Sequence, residues 1–379
     1  MRSMAAESDL HVLMTADCVG GVWTHALELA AALGTRGVRV TLASMGAPLA
    51  PLQRAQAASV AGLALRESSF RLEWMDDPWN GVRAAGAWLQ ELDDSLRPDV
   101  LHLNQFAFGA LDFHAPKLVV AHSCVLSWWR AVRGSALPAA FGRYRQAVSE
   151  GLAGAAQVAA PTRAMLASLA LDYGHSRPGL VLPNGRDPET FRPGPKLPLV
   201  LSAGRMWDEA KNLSALEAVA PRLRWPTYVA GATSHPSGGR REARCVRLLG
   251  ELSPEALAAQ LARASIYALP ARYEPFGQSA LEAALCGCAL VLGDIPSLRE
   301  VWGPAALYVP PDDHDALHAV LSRLIAQPAL CAGMAQKARA RALRFTPQRM
   351  ADAYLRAYRN LWGGAVPRPA PLEELSCVS

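Results

Sequence analysis

The chain has 379 residues, of which 51% are hydrophobic and 19% charged, with a formal net charge of +5. That length is too great for one ordinary core and suits two domains, and no apolar run approaches the roughly 20 residues that cross a bilayer, which argues against an integral membrane protein. The mild basic excess fits phosphate-bearing ligands or an anionic surface and is too diffuse for a nucleic-acid binder.

Residues 1–9 lead straight into an apolar segment without the hydrophobic region of a signal peptide, so a cytoplasmic location is expected. Residues 10–15 read as a short strand, Cys18-Val19-Gly20-Gly21 as a tight loop, and residues 24–33 as an amphipathic helix closed by Gly34. Further strands are expected at 38–43, 100–103, 117–121, 157–160 and 179–182, separated by helical stretches; such alternation predicts a parallel sheet. His122 follows the strand at 117–121 directly and so stands at its carboxyl edge, facing the crevice. Trp128-Trp129-Arg130 with Arg133, and Arg143-Tyr144-Arg145, pair aromatic and basic side chains, a combination found in membrane-surface segments, in acceptor pockets and on ordinary surfaces. Thr162 and Arg163 are placed to line a cleft. Pro183-Asn184-Gly185-Arg186-Asp187 carries the Asn-Gly turn signal and reads as structural, fixing a hinge.

Residues 191–198 contain three prolines and a glycine and are assigned as a domain linker. A second strand series follows at 199–203, 227–230, 246–249, 265–269 and 289–292. After the first of these comes Gly204-Arg205-Met206-Trp207-Asp208-Glu209-Ala210-Lys211-Asn212, where doubly wound folds place phosphate loops. Arg205 can fork onto phosphate oxygens and Lys211 can add a point charge; lysine occurs at only three other positions, 117, 196 and 337. Leu248-Leu249-Gly250 offers apolar flanks and exposed backbone. Glu274-Pro275-Phe276-Gly277-Gln278-Ser279-Ala280-Leu281-Glu282 then sets two carboxylates eight positions apart around a strand-to-helix turn. Amide groups at the helix start favour an anion, and each carboxylate suits a pair of vicinal hydroxyls.

Asp313-His314-Asp315 imitates a metal-binding Asp-x-Asp, but the aspartates follow Pro310-Pro311 at the start of a helical pattern and read as N-cap and first-turn residues. Seven cysteines, at 18, 124, 245, 286, 288, 331 and 377, show no C-x-x-C pairing and support neither a disulfide framework nor zinc. Residues 347–361 form a last predicted helix, and the Pro-containing tail is expected to be poorly ordered.

The run from Glu274 to Glu282, with Phe276-Gly277 inside it and Ala283-Ala284-Leu285-Cys286-Gly287 after it, resembles the signature of the retaining family 4 glycosyltransferases, and ordered motifs extend the resemblance from about Leu10 to about Trp362. The resemblance implies an α/β chain of GT-B fold, two doubly wound Rossmann-like domains facing across a cleft. The domains are 1–190 on the acceptor side, linker 191–198, 199–345 for the nucleotide sugar, a helix at 346–363 returning to the first domain, and a tail at 364–379. It further implies that Glu274, aided by the Phe276 and Gly277 amides and flanked by Gln278, holds donor-sugar hydroxyls, and that Glu282 holds the ribose. Arg205 and Lys211 would stabilise the leaving diphosphate, His122 would complete the sugar pocket, Gly20 and Gly21 would let backbone approach donor phosphates or acceptor, and Leu249 would flank the base. The Arg205 to Lys211 spacing of six is one residue longer than the common form.

These roles imply transfer of a sugar, with retention, from a nucleoside-diphosphate sugar to a hydroxyl acceptor, with neither a catalytic metal nor a resident cofactor. Two alternatives stand beside it, a sugar-nucleotide epimerase and a catalytically silent nucleotide-binding subunit. Expected partners are the donor and a hydroxyl acceptor, with no nucleic acid; contact with the inner face of a membrane stays open. Sugar, base, acceptor, linkage and oligomeric state are not legible.

Overall fold

A computed structural model describes residues 10–135, 137–234 and 243–363. The tail 364–379, read as poorly ordered, and Cys377 lie outside the described residues.

The first sheet holds β1 (His11–Asp17), β2 (Arg39–Met45), β3 (Leu63–Glu67), β4 (Val100–Leu103), β5 (Lys117–Val120), β6 (Gln157–Ala160) and β7 (Leu180–Val181), all parallel, in the order β3-β2-β1-β4-β5-β6-β7. β1 and β2 run in register from His11 opposite Arg39 to Asp17 opposite Met45. All seven residues of β1 are buried, as a strand covered by helices on both faces requires. The second sheet holds β8 (Leu197–Ala203), β9 (Thr227–Ala230), β10 (Arg247–Gly250), β11 (Ala264–Leu269), β12 (Ala289–Gly293) and β13 (Leu307–Val309), in the order β10-β9-β8-β11-β12-β13. Each sheet reverses its winding beside its first strand, between β1 and β4 and between β8 and β11. Those switch points open crevices beyond the carboxyl ends of the strands.

Two strands were not read from the sequence. β3 is a half-exposed edge strand with no buried residue, and β13 has only three residues; neither is long or apolar enough to stand out by itself. β8 begins at Leu197, inside the segment read as linker.

The helix Pro347–Trp362 belongs to the core of the first domain. Met350, Ala351, Tyr354, Leu355 and Tyr358 recur at helical spacing and are buried with Ala26, Leu29, Ala30 and Leu33 of the helix Gly21–Gly34. Each large side chain buried there contributes roughly 1.5–3 kcal/mol. Where the chain recrosses, the Asn-Gly turn is clamped: Arg186 donates its amide N–H to Phe345 O at 3.0 Å. A Cβ on Gly185 would lie 2.4 Å from Thr346 O, so only glycine fits this approach.

Candidate active site

The two crevices face each other across a cleft of about 790 Å³. Contacts between the domains hold it together. Tyr273 OH accepts from Cys124 N–H at 3.1 Å, Thr162 Oγ1 donates to Pro275 O at 3.0 Å, and the Glu300 carboxylate accepts the Arg163 and Ala164 amides at 2.8 and 2.9 Å. Thr162 and Arg163, read as cleft lining, thus act at the domain junction, where Thr162 also caps the helix Arg163–Tyr173.

The Trp128 to Arg133 segment is at this junction too. Trp128 Nε1 donates to Asp208 Oδ1 at 2.8 Å, and the Arg133 guanidinium forks onto the Glu209 carboxylate at 2.8 and 2.9 Å. The pairing of aromatic and basic residues that suggested a membrane surface therefore has a physical reason inside the molecule: it ties the first domain to the loop bearing Arg205 and Lys211.

On the second domain, β8 delivers that loop and β11 delivers Glu274. Lys211 Nζ donates to Glu274 Oε2, and Glu274 Oε1 accepts the Gly277 N–H at 3.0 Å. The longer loop is absorbed in a 3-10 turn, Glu209–Lys211, whose preceding Asp208 side chain caps Ala210 N–H. Asn212, in the left-handed region at φ 58, anchors its end by donating to Pro270 O and Pro311 O at 3.0 and 2.6 Å. Gly277 does not offer its amide to the cleft, contrary to the expectation, because Glu274 already occupies it. Phe276 and Gln278 do line the cleft, the first with its ring held edge-on to Phe345 at 5.6 Å. Gln278 keeps an unpartnered Nε2.

Glu282 lies one turn into the helix Gln278–Leu285 and is buried. Its Oε1 is 2.9 Å from Arg186 Nε, while Arg186 Nη1 donates to Glu28 Oε2 at 2.6 Å. The guanidinium therefore bridges a carboxylate from each domain, and it stacks on Phe191 at 4.8 Å. Burial raises the Glu282 carboxyl above its ordinary range and Arg186 opposes the rise; Glu28 behaves likewise.

Arg205 is only loosely paired, with 40% of its side chain exposed and Asp208 Oδ2 at 3.7 Å. It extends across to the first domain, over Gly20. A Cβ on Gly20 would lie 3.2 Å from Arg205 Nη1, and Gly20 sits at φ +96. Gly20→Ala is expected to introduce roughly 1–3 kcal/mol of backbone strain and to displace Arg205, lowering turnover. Gly62→Ala, at φ +75 but with nothing within 4 Å, serves as the control and should cost stability alone; thermal melts beside initial-rate kinetics check both.

His122 lies in the cleft at the end of β5 and donates from Nε2 to Asn104 Oδ1 at 2.8 Å. That leaves Nδ1 as an acceptor. His102 shares the same oxygen at 3.0 Å and meets Tyr358 OH at 2.7 Å, and His25 crosses the His122 ring at 4.5 Å. Burial pushes His122 down to about 4 and His102 to about 3, so all are neutral. The three imidazoles are close enough for a metal ion, but both ring nitrogens of His102 are already committed to hydrogen bonds. Among the described residues Asp313-His314-Asp315 forms no such cluster; Asp313 caps its helix, accepting from Ala316 N–H at 2.8 Å.

Leu249 is half-buried against the core of the second domain, and the cleft wall expected near it is built instead by Leu252, Pro254 and Leu257, just downstream. The side chain of Leu249 lies on the strand β10, whereas the open wall begins only after the chain leaves the sheet at Gly250.

Sequence reasoning missed Asp17, Glu73, Trp74 and the bridging role of Arg186. Burial raises Asp17 to about 6 despite hydrogen bonds from Val19 N–H and Trp74 Nε1 and the nearby Arg205; Glu73 rises to about 7 although its oxygens accept the Phe106 and Ala107 amides. Asp17 could have been found, since it ends β1 three residues before Gly20. Glu73 and Trp74 lie in a loop without a local signal.

Two doubly wound parallel-sheet domains with switch points facing one cleft define the GT-B class. The model described as Glycosyltransferase Family 4 matches residues 19–190 and that described as Glycosyl transferases group 1 matches residues 197–327; the chain belongs to this glycosyltransferase family. It is 28% identical over 203 residues to a phosphatidyl-myo-inositol mannosyltransferase of Mycolicibacterium smegmatis, covering 49% of this chain and 53% of that one. It is 27% identical over 216 residues to a D-inositol 3-phosphate glycosyltransferase of Corynebacterium jeikeium, covering 48% and 51%. The chain thus spans about half the length of these two curated relatives. Among solved structures it resembles sucrose-phosphate synthase from Thermosynechococcus elongatus, with a TM-score of 0.76 at 19% identity, covering 94% of this chain and all of that one. It likewise resembles Anabaena HepE in complex with UDP-glucose, with a TM-score of 0.74 at 15% identity over 92% and 99%. No helix among the described residues is long and apolar enough to cross a membrane.

Proposed function

We propose that this chain transfers a sugar from a nucleoside-diphosphate sugar to a hydroxyl acceptor with retention at the anomeric carbon. The observation that carries the reading is the convergence on one cleft of Glu274 paired with Lys211, Arg205 reaching over Gly20, and Glu282 at the far end of the same turn. The family, and the likeness to a fold solved with UDP-glucose, support it.

In this reading Glu282 holds the ribose with its free oxygen while Arg186 opposes the upward shift that burial imposes on its carboxyl. The diphosphate lies between Arg205 and Lys211, and Glu274 orients Lys211 and the donor sugar together. As the bond to the anomeric carbon breaks, negative charge grows on the phosphate, and two fixed cations stabilise that charge more than the ground state. These cations do the work assigned to a divalent ion in metal-dependent transferases, so no resident metal or cofactor enters the reaction. His122, neutral, accepts a hydrogen bond from a sugar hydroxyl at Nδ1. Asp17 and Glu73 are spent on backbone and Trp74 hydrogen bonds, so neither is arranged as a nucleophile beside a base. The leaving phosphate oxygen then takes the acceptor proton on the same face. No membrane contact enters this reading, since Trp128 and Arg133 are held against the second domain.

The test is a thermal-shift and donor-turnover screen with uridine, guanosine and adenosine diphosphate sugars, with and without EDTA, on wild type and Glu282→Ala. One nucleotide should give a shift that survives chelation and weakens in the variant, with turnover rising when an alcohol is added. Product from donor alone would point to an epimerase, and no shift with any nucleotide would overturn the reading.

A further inference from the structure

The two walls of the cleft differ in chemistry. The second-domain wall carries Arg205 and Lys211. The first-domain wall is aromatic, presenting Trp74, Phe106, Trp129, Phe141 and Tyr144. Trp129 and Phe141 form a tilted pair with ring centroids 5.7 Å apart, leaving a broad apolar face.

Charge on that wall runs against an anionic ligand. Its cations are Arg133, forked onto Glu209, and Arg186, bridging Glu28 and Glu282. Neither is available without breaking an ion pair already made. Asp17 and Glu73 lie on the same wall, so a phosphate or carboxylate seated against it would meet carboxyl groups and, among the described residues, no unpaired cation belonging to that wall; Arg205, which reaches over Gly20 from the second domain, is the cation that the proposed function assigns to the donor diphosphate.

The unpartnered polar atoms point to a different ligand. Gln105, 4% exposed, leaves its Oε1 without a partner, and Trp129 leaves its buried Nε1 so. One is an acceptor and the other a donor, the complement of a hydroxyl group, which both donates and accepts. Aromatic faces in turn suit the C–H face of a saturated ring or an aryl group.

We propose that the acceptor is an uncharged, ring-bearing alcohol, such as a neutral glycoside or cyclitol, seated with a ring face on the Trp129 and Phe141 pair and with hydroxyls bonded to Gln105 and Trp129. This rests on the transferase reading above. A phosphorylated or carboxylated acceptor of the same shape is disfavoured by the two carboxyl groups and by the prior engagement of Arg133.

The experiment uses the full chain with the donor found in the nucleotide screen and matched acceptors: p-nitrophenyl hexosides and myo-inositol against the same hexoses and inositol as phosphate monoesters. A neutral member of a pair should be transferred to with kcat/KM at least about tenfold higher, a difference of about 1.4 kcal/mol. Trp129→Ala should raise the acceptor KM by about tenfold or more, and Trp129→Phe, which keeps the ring and loses the N–H, by less. The nucleotide-induced thermal shift of each variant reports whether fold and donor site are intact. Preference for the phosphate ester, or an unchanged acceptor KM in Trp129→Ala, overturns the acceptor assignment while the transferase reading stands. Donor hydrolysis without transfer to any neutral alcohol overturns it in the same way. Loss of all nucleotide binding in wild type would instead remove the transferase reading, and the acceptor assignment with it.

Discussion

Lys211→Ala is expected to lower kcat by roughly 10²- to 10³-fold, the range found when a preorganised charge-stabilising donor is removed from an active site. Lys211 is 13% exposed and its ammonium is held by Glu274, whose second oxygen is fixed by the Gly277 amide. In the proposed reaction the charge is thus set in place before the donor arrives and would cost no reorganisation as the diphosphate departs. Its removal also leaves Glu274, itself 12% exposed, without its counter-charge, so sugar positioning suffers with charge stabilisation. Arg205→Ala should likewise act on turnover more than on donor KM, because its attraction for the phosphate grows toward the transition state. Steady-state kinetics with the identified donor check both variants. A kcat within about threefold of wild type for Lys211→Ala, a barrier change below about 0.7 kcal/mol, would remove Lys211 from the chemistry and leave it as a tether for Glu274.

Arg186→Leu is expected to produce the largest loss of stability, about 3–5 kcal/mol at pH 8, because it strips the counter-charge from two buried carboxylates. Its sign with pH follows from the direction of the shifts. Burial raises both Glu28 and Glu282, and Arg186 is the leading influence opposing the rise. A carboxyl whose pKa is higher in the folded than in the unfolded chain favours folding below its unfolded value, and that contribution is lost as pH climbs through the folded value. Without Arg186 both carboxyls rise further. The variant should therefore lose most melting temperature at pH 8 and recover part of the deficit near pH 5, where protonation relieves the uncompensated charge. Nucleotide KM should rise as well, since Glu282 would lose the guanidinium that fixes its Oε1 at 2.9 Å. An equal loss of melting temperature at the two pH values would mean that packing on Phe191, rather than charge, accounts for the residue.

Much of the architecture was legible because it is written locally. A seven-residue apolar run such as β1, followed by Gly20-Gly21 and an amphipathic helix, needs no distant information to be recognised, and neither does the proline-rich break before β8. β3 and β13 were missed because their residues are half-exposed or too few, and pairing with a neighbour, not their own pattern, makes them strands. In the site, Arg205, Lys211 and His122 stand in segments that follow strands, Glu274 and Glu282 stood out through the resemblance to the family 4 signature, and all five line the cleft. Leu249 could not be judged in the same way, since whether a residue beside a strand end faces core or cleft turns on where the chain leaves the sheet.

By itself the sequence determined the two α/β domains, the loops that end their central strands and the residue types those loops carry, since periodicity, glycines and prolines act over neighbours a few positions apart. Only the tertiary structure decided what those residues are bonded to. Arg163 lies 137 residues from Glu300 in the chain, and Trp128 lies 80 from Asp208. No local pattern encodes such meetings. They arise when two cores, each folded for its own hydrophobic burial, bring their strand ends to one cleft, and there the charges that composition merely counts acquire partners, burial and a shared field.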